Sequence, residues 1–473
     1  MQAELGVLSP SGAPRVGRVS TAVTPSTVPQ NPSHRANGLR GDLVSAALAV
    51  ILFIAAFVVP QLMSAREQEM LHALTAPLFG IWQRHWGVGT PVAVVIAVGV
   101  IVWGPALAQR LRWSGLLAVT GAVSLAWAMA LVMVDGWQRG FLDHLQDSNE
   151  YVPTVHTIAD VPAMLRDFSS RILEGQPGTW PTHVSGHPPG ALLAYVGLDR
   201  IGLGGAVPAG MLDVVAGCSA VVAVLIAVRV LSAEQTARRA APFLALAPAV
   251  IWIAVSADAL FAGVTAWGIA LLALAAKRAV RWPVLASLGA GLLLGYGIYL
   301  SYGLVLMGVP AVAVLLAART ARPLLPAVLA ALAVVAAFTA AGFWWVDGYH
   351  LVVQRYYEGI ASERPFSYWG WANFASLLCA VGVATAAGMH RVLTPSKLWS
   401  REGLTMLVAG VALAVVIADV SALSKAETER IWLPFAVWLL AATALLPTRY
   451  QRWWLGAQAV LALSIVHLVL TNW

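Results

Sequence analysis

The chain has 473 residues, of which 59% are hydrophobic and only 11% charged, with 20 tryptophans and a mean hydropathy of +0.76. A soluble globular domain carries roughly a quarter of its residues as charges, so this composition excludes that class and leaves a membrane protein. The formal charge of +7 does not indicate nucleic acid, because no basic-aromatic motif accompanies it; Cys218 and Cys379, the two cysteines, both fall in apolar stretches and offer no disulfide framework.

Residues 1–42 are rich in Pro, Ser, Thr, Gly and Arg without apolar periodicity, which predicts a disordered cytoplasmic tail. Beyond it, apolar runs near the ~20 residues that cross a bilayer predict an all-α, polytopic helical membrane protein of about 13 transmembrane helices. The predicted spans are 43–64, 91–108, 115–134, 206–231, 240–256, 258–276, 283–301, 303–318, 323–345, 372–390, 403–419, 432–447 and 454–470. They group as N-terminal helices over 43–134, an external loop over 135–205, and a bundle over 206–473 with external loops at 346–371 and 420–431. Residues 158–174 and 189–203 are predicted as juxtamembrane helices on the outer surface, since they are amphipathic or too short to span.

Basic residues mark the cytoplasmic side of membrane proteins. With the tail inside, 19 of the 29 Lys and Arg residues fall in inner segments, against Glu4, Asp42, Glu234 and Glu402 of the 22 acids. The protein is therefore predicted to be a multi-pass plasma-membrane protein with a cytoplasmic N-terminus and an external active face.

That face holds a polar island at 135–190, where Asp143, Asp147, Glu150, Asp160, Asp167, His144, His156, His183 and His187 crowd into a few dozen residues. A connector needs far fewer ionisable groups. The order of features is an acidic external loop containing DSNEY (147–151), then HPPG (187–190), then a span ending in arginines, then SADALF (256–261). This series resembles the GT-C superfamily of polytopic glycosyltransferases, which includes the protein O-mannosyltransferases and the lipid A aminoarabinose transferase. The stretches at 355–374 and 424–435 look like external loops of actinobacterial, polyprenyl-phosphate-dependent members. The resemblance covers roughly residues 135–435. Members usually have one span before the catalytic loop and adjacent acids, whereas this chain has three predicted spans there and places Asp147 and Glu150 three apart.

The resemblance implies an integral-membrane enzyme that transfers a sugar, mannose- or arabinose-like, from a polyprenyl-phosphate donor to a hydroxyl of a glycan, glycolipid or protein acceptor in the cell envelope. Such a transfer needs a carboxylate to take the hydroxyl proton and cationic or hydrogen-bonding groups to receive the departing phosphate. Asp147, Glu150 and Asp160 are the candidate bases. His183, His187, Arg355, Arg364, Lys425 and Arg430 are candidate phosphate partners, with Arg364 and Arg430 favoured for their bidentate geometry. Asp258 matches the pattern at the mouth of its span, and the aromatic cluster that includes Tyr368 and Trp371 suits sugar stacking, prenyl contact or interfacial anchoring. The residues identify no definite cofactor; a divalent cation bridging acids and phosphate is compatible with this set, although no HExxH-type site is present. The competing readings are a transporter or flippase of lipid-linked saccharides and a non-catalytic scaffold. A transporter places its ionisable groups at mid-membrane on broken helices, whereas these acids gather at one face.

Overall fold

A computed structural model describes residues 32–472, with side chains from residue 38. The tail expected over residues 1–42 lies largely outside the described residues; helix begins at Pro32 and continues to Leu62. The regular structure of the described residues is helical apart from one pair of three-residue strands and an isolated bridge between Thr75 and Leu78.

Among the described residues seven helices are long and apolar enough to cross a membrane: 38–62, Gly89–Arg110, Trp113–Asp135, Ala206–Leu231, Ala257–Ala276, Pro283–Leu300 and Gly403–Val420. Three helix pairs sharply bent at short breaks bring the number up to ten if each counts as one span. The figure of 13 is therefore corrected downward, and the reasons are local. Leu324–Ala340 bends by 75° into Trp345–Glu358 near Gly342, whose φ is +103°. Phe366–Val381 bends by 108° into Val383–Val392 at Gly382, with φ +80°. The two spans predicted at 432–447 and 454–470 are the two arms of one pair bent by 111° about Pro447. The segment 303–318 opens as a 3-10 turn and makes only a short helix.

The predicted span 240–256 is broken into Glu234–Ala245 and Val250–Ile253, with Pro242 and Pro248 removing backbone donors on the way. It nevertheless carries the chain back across the bundle. Helices Ala206–Leu231 and Ala257–Ala276 pack closely and in parallel: a Cβ on Gly217 would meet Ala259 Cβ at 2.9 Å, and one on Gly263 would meet the Ala216 carbonyl. Small residues at such crossings let backbones approach where lipid gives helices no other reason to pair. Parallel neighbours require a return path between them, which residues 232–256 supply.

Ala257–Ala276 is the central helix, 78% buried over its apolar window, against 17% for the helices 38–62 and Gly89–Arg110 at the periphery. Exposed Leu, Val and Ile side chains on the peripheral helices form the surface expected to meet lipid. The island 135–205 folds into short helices, including Tyr151–Val155, Val161–Asp167, Thr182–Gly186 and Pro189–Arg200, at the end of the bundle where Ala206 and Ala257 begin. The strands Gly80–Trp82 and Val469–Thr471 pair antiparallel with Gly80 opposite Thr471, a long-range contact that no sequence signal announced.

Candidate active site

The DSNEY stretch forms a tight turn. Asp147 is exposed and accepts hydrogen bonds from the Asn149 backbone N–H at 2.8 Å and its side-chain amide at 3.0 Å, the Asx geometry that short acids favour in loops. Asn149 in turn receives the His183 backbone N–H at 3.1 Å and the Thr182 hydroxyl at 3.0 Å. These contacts tie the turn to helix Thr182–Gly186 and turn Glu150 inward, where it is 7% exposed and its Oε1 lies 2.6 Å from His183 Nδ1.

His187 sits one helical turn beyond His183. Its Nδ1 lies 2.8 Å from the His183 carbonyl oxygen and 2.7 Å from the Tyr151 hydroxyl. A carbonyl can only accept, so Nδ1 carries the proton; burial pulls the ring pKa down, more than Asp258 raises it, so Nε2 of this neutral imidazole keeps a lone pair. Burial, followed by Glu150, pushes the Tyr151 phenol well above its ordinary range, so it stays protonated. Its ring stacks on Tyr195 at 5.3 Å, and the Tyr195 hydroxyl donates to Asp213 at 2.9 Å. The prolines of HPPG start helix Pro189–Arg200, while Gly190 is required by contact: a Cβ there would lie 2.5 Å from the Tyr299 carbonyl oxygen.

The two later loops bring the cations. Arg430 Nη1 lies 2.7 Å from Asp258 Oδ2, and its Nη2 lies 3.0 Å from Glu427 Oε2; the other oxygen of Glu427 lies 3.5 Å from Arg364. Arg364 also donates to the carbonyls of Lys425 at 2.8 Å and His72 at 3.2 Å, and Lys425 Nζ donates to the Ala361 carbonyl at 2.9 Å. Ala426 and Glu427 both adopt positive φ, +71° and +59°, a conformation that costs non-glycine residues energy and here aims Glu427 between the two arginines. Burial opposes charge on Arg430 and Glu427, yet each is held ionised by the other: Asp258, Glu427 and Glu150 raise Arg430, while Arg430 and Arg364 hold Glu427 below the usual carboxylate range. Burial, then the charge on Arg364, lowers Lys425.

Glu150, His183 and His187 thus form one group and Asp258, Arg364, Lys425 and Arg430 another, and the two are close enough to interact electrostatically: Glu150 raises Arg430 and His183 helps hold Glu427 ionised. The remaining candidates lie outside both groups. Asp160 caps helix Val161–Asp167 by accepting the Ala163 N–H at 3.0 Å. Arg355 donates to the Ile172 carbonyl at 3.2 Å and stands 3.8 Å from Glu174. Tyr368 is buried and donates to the Ala56 carbonyl at 2.7 Å; Trp371 packs on it and donates to the Ser367 carbonyl.

Glu427, Tyr151, Tyr195 and Glu429 were not singled out from sequence. Glu427 and Glu429 lie beside Arg430 in the 424–435 stretch, and adjacency to Glu150 was the one signal for Tyr151. Glu429 is 1% exposed, accepts the Phe79 N–H at 3.4 Å through Oε1, and has no partner for Oε2 among the described residues. Burial, followed by the neighbouring Glu427, pushes its pKa up to about 7. Among the described residues no three His, Cys, Asp or Glu side chains are gathered as a metal site; the acids meet imidazole, phenol or guanidinium instead.

No family model and no curated protein matches the chain. One solved structure that it resembles is the crystal structure of the Archaeoglobus fulgidus oligosaccharyltransferase in complex with zinc and sulfate, with 15% identity and a TM-score of 0.42. The match covers 75% of this chain and 53% of that one, so the chain spans about half the length of the protein it is matched to.

Proposed function

We propose that the protein is an integral-membrane glycosyltransferase that moves a mannose- or arabinose-like sugar from a polyprenyl-phosphate donor to a hydroxyl of a cell-envelope glycan, glycolipid or protein, on the outer face of the plasma membrane. The observation that carries this reading is a carboxylate–imidazole pair, Glu150 and His183, within electrostatic reach of a buried charged ladder, Asp258–Arg430–Glu427–Arg364, in an apolar helical protein. A sugar transfer between lipid phosphate and hydroxyl needs both halves.

Glu150 is the base of choice among the three acids, because Asp147 is spent on a turn and Asp160 on a helix cap. The acceptor oxygen bonds to the anomeric carbon as its proton passes to the Glu150 carboxylate; the carbon–oxygen bond to phosphate breaks, and its electron pair stays on the lipid phosphate. His183 fixes the orientation of Glu150. Within the ladder, Arg364 and Arg430 face the carboxylates Glu427 and Asp258, and Lys425 lies beside Arg364. Arg364 Nε is buried without a partner among the described residues, and Lys425 Nζ has one carbonyl for its three donors. Both have donors left for a phosphate.

The test is turnover with purified donor and acceptor in three variants. Glu150→Gln is expected to lower turnover ~10²–10⁴-fold with donor binding retained, while Asp147→Asn and Asp160→Asn stay within about tenfold of the starting protein. Near-normal turnover in Glu150→Gln would refute the assignment of the base, and near-normal turnover in all three would refute transfer chemistry at this loop.

A further inference from the structure

An open cavity of about 520 Å³ lies between the turn Ser169–Arg171 and helix Trp345–Glu358. It is lined by Ser169, Leu173 and Gln176 from the island and by Asp347, His350 and Leu351 from the helix, with Ser170 beside them. Ser170 donates its hydroxyl to the Asp167 carbonyl. The side chains of Ser169, Gln176 and Asp347 make no hydrogen bond or ion pair among the described residues, and neither does His350.

The walls are fixed. The Arg171 guanidinium lies 3.3 Å over the ring of Trp180, whose indole N–H donates to the Phe168 carbonyl at 3.0 Å. Arg355, on the helical wall, reaches across to the Ile172 carbonyl and toward Glu174, closing the island side against the helix side. The same helix packs on Thr182–Gly186, which carries His183, so the cavity and the carboxylate–imidazole pair share a supporting element.

We propose that this cavity binds the hydroxyl-rich, uncharged saccharide portion of the acceptor. A carboxylate, a carboxamide, a hydroxyl and an imidazole converging without internal partners are suited to the vicinal hydroxyls of a sugar, and Leu173 and Leu351 offer apolar surface to its C–H face. Arg171 and Arg355 are engaged by Trp180 and the Ile172 carbonyl and are not among the lining residues, and Asp347 disfavours an anion, so the site does not duplicate the phosphate-binding role of the ladder. The assignment rests on the transferase reading, since it names the acceptor class for that reaction.

The test separates binding from transfer. Labelled full-length protein in detergent is applied to an array of neutral mannose-, arabinose-, galactose- and glucose-based oligosaccharides beside their phosphorylated counterparts. Retention of neutral oligosaccharides is expected, with Asp347→Ala and Gln176→Ala each weakening it about tenfold and Leu351→Trp, which fills the cavity, weakening it further. Asp347 and Gln176 are exposed, and unchanged thermal unfolding would show that the variants remain folded. The inference is overturned by retention of phosphorylated glycans in preference to neutral ones, by no retention of any neutral oligosaccharide, or by wild-type retention in all three variants. Saccharide binding by a protein that transfers nothing would count against the transferase reading and leave this site standing. Transfer with an unaltered acceptor KM in Asp347→Ala and Gln176→Ala would do the reverse.

Discussion

Replacing Arg430 with Gln measures how the buried ladder is held together. The guanidinium is 7% exposed and lies between Asp258 at 2.7 Å and Glu427 at 3.0 Å. Its removal leaves two carboxylates facing each other out of water, and breaking a buried pair in this way typically costs ~3–5 kcal/mol. Asp258→Asn alone should cost less, about 3 kcal/mol or below, because the amide oxygen still accepts from Arg430 and Glu427 still balances the charge. If the three side chains act as one unit, the double variant Arg430→Gln with Asp258→Asn should be no less stable than Arg430→Gln, since removing one carboxylate relieves the repulsion that the first substitution created. A coupling on the order of 1–3 kcal/mol is expected from the cycle. The assay is denaturant or thermal unfolding of the four proteins in one detergent, followed by tryptophan fluorescence, with turnover measured in parallel. Stability should recover in the double variant while turnover does not, because the cation that faces the donor is still missing. Additivity within about 0.5 kcal/mol would refute the ladder as a cooperative structure; recovered turnover would refute a role for Arg430 in the reaction.

Cysteines placed at the exposed positions Ser148 and Ser362 should react with a membrane-impermeant thiol reagent added from outside, and one at Ser400 should not; labelling of Ser400 alone would reverse the proposed orientation. Glu429 predicts a pH dependence of stability. Its folded pKa of about 7 lies above the ordinary carboxylate value, so the folded state binds the extra proton, and stability is highest below about pH 4.5 and falls as pH rises to about 7. That loss is on the order of 3 kcal/mol at most, and Glu429→Gln should remove it; an identical stability–pH slope over that window in the variant would show that Glu429 does not titrate there.

The membrane architecture was legible because hydropathy summed over twenty residues reports burial in lipid directly. The same sum ignores punctuation, which is why Pro242, Pro248, Gly382 and Pro447 interrupt or fold back segments that read as simple spans. Within the polar island the sequence put Asp147 and Glu150 on an equal footing. What separates them is the backbone amide of Asn149, which claims one and leaves the other to turn inward. Arg364 and Arg430 stood out by residue type and loop position, but the positive φ at Glu427 that joins them is not written in any local preference, since alanine and glutamate rarely adopt it. The strand pair Gly80–Trp82 with Val469–Thr471 joins residues some 390 positions apart through backbone groups alone, and so left no pattern to read.

The parallel packing of Ala206–Leu231 and Ala257–Ala276 has an electrostatic consequence. The Ala257–Ala276 helix begins beside the cluster, with Asp258 in its first turn. Peptide dipoles aligned along a helix leave roughly half a positive charge at that end. The backbone itself therefore contributes positive potential beside the carboxylates, before any arginine is counted. Because Gly217 and Gly263 lock the two backbones against each other, that potential stays in place as ligands come and go. A field fixed in the frame needs no reorganisation when negative charge develops on a departing group, so in the proposed transfer this close crossing doubles as a permanent electrode beneath the site.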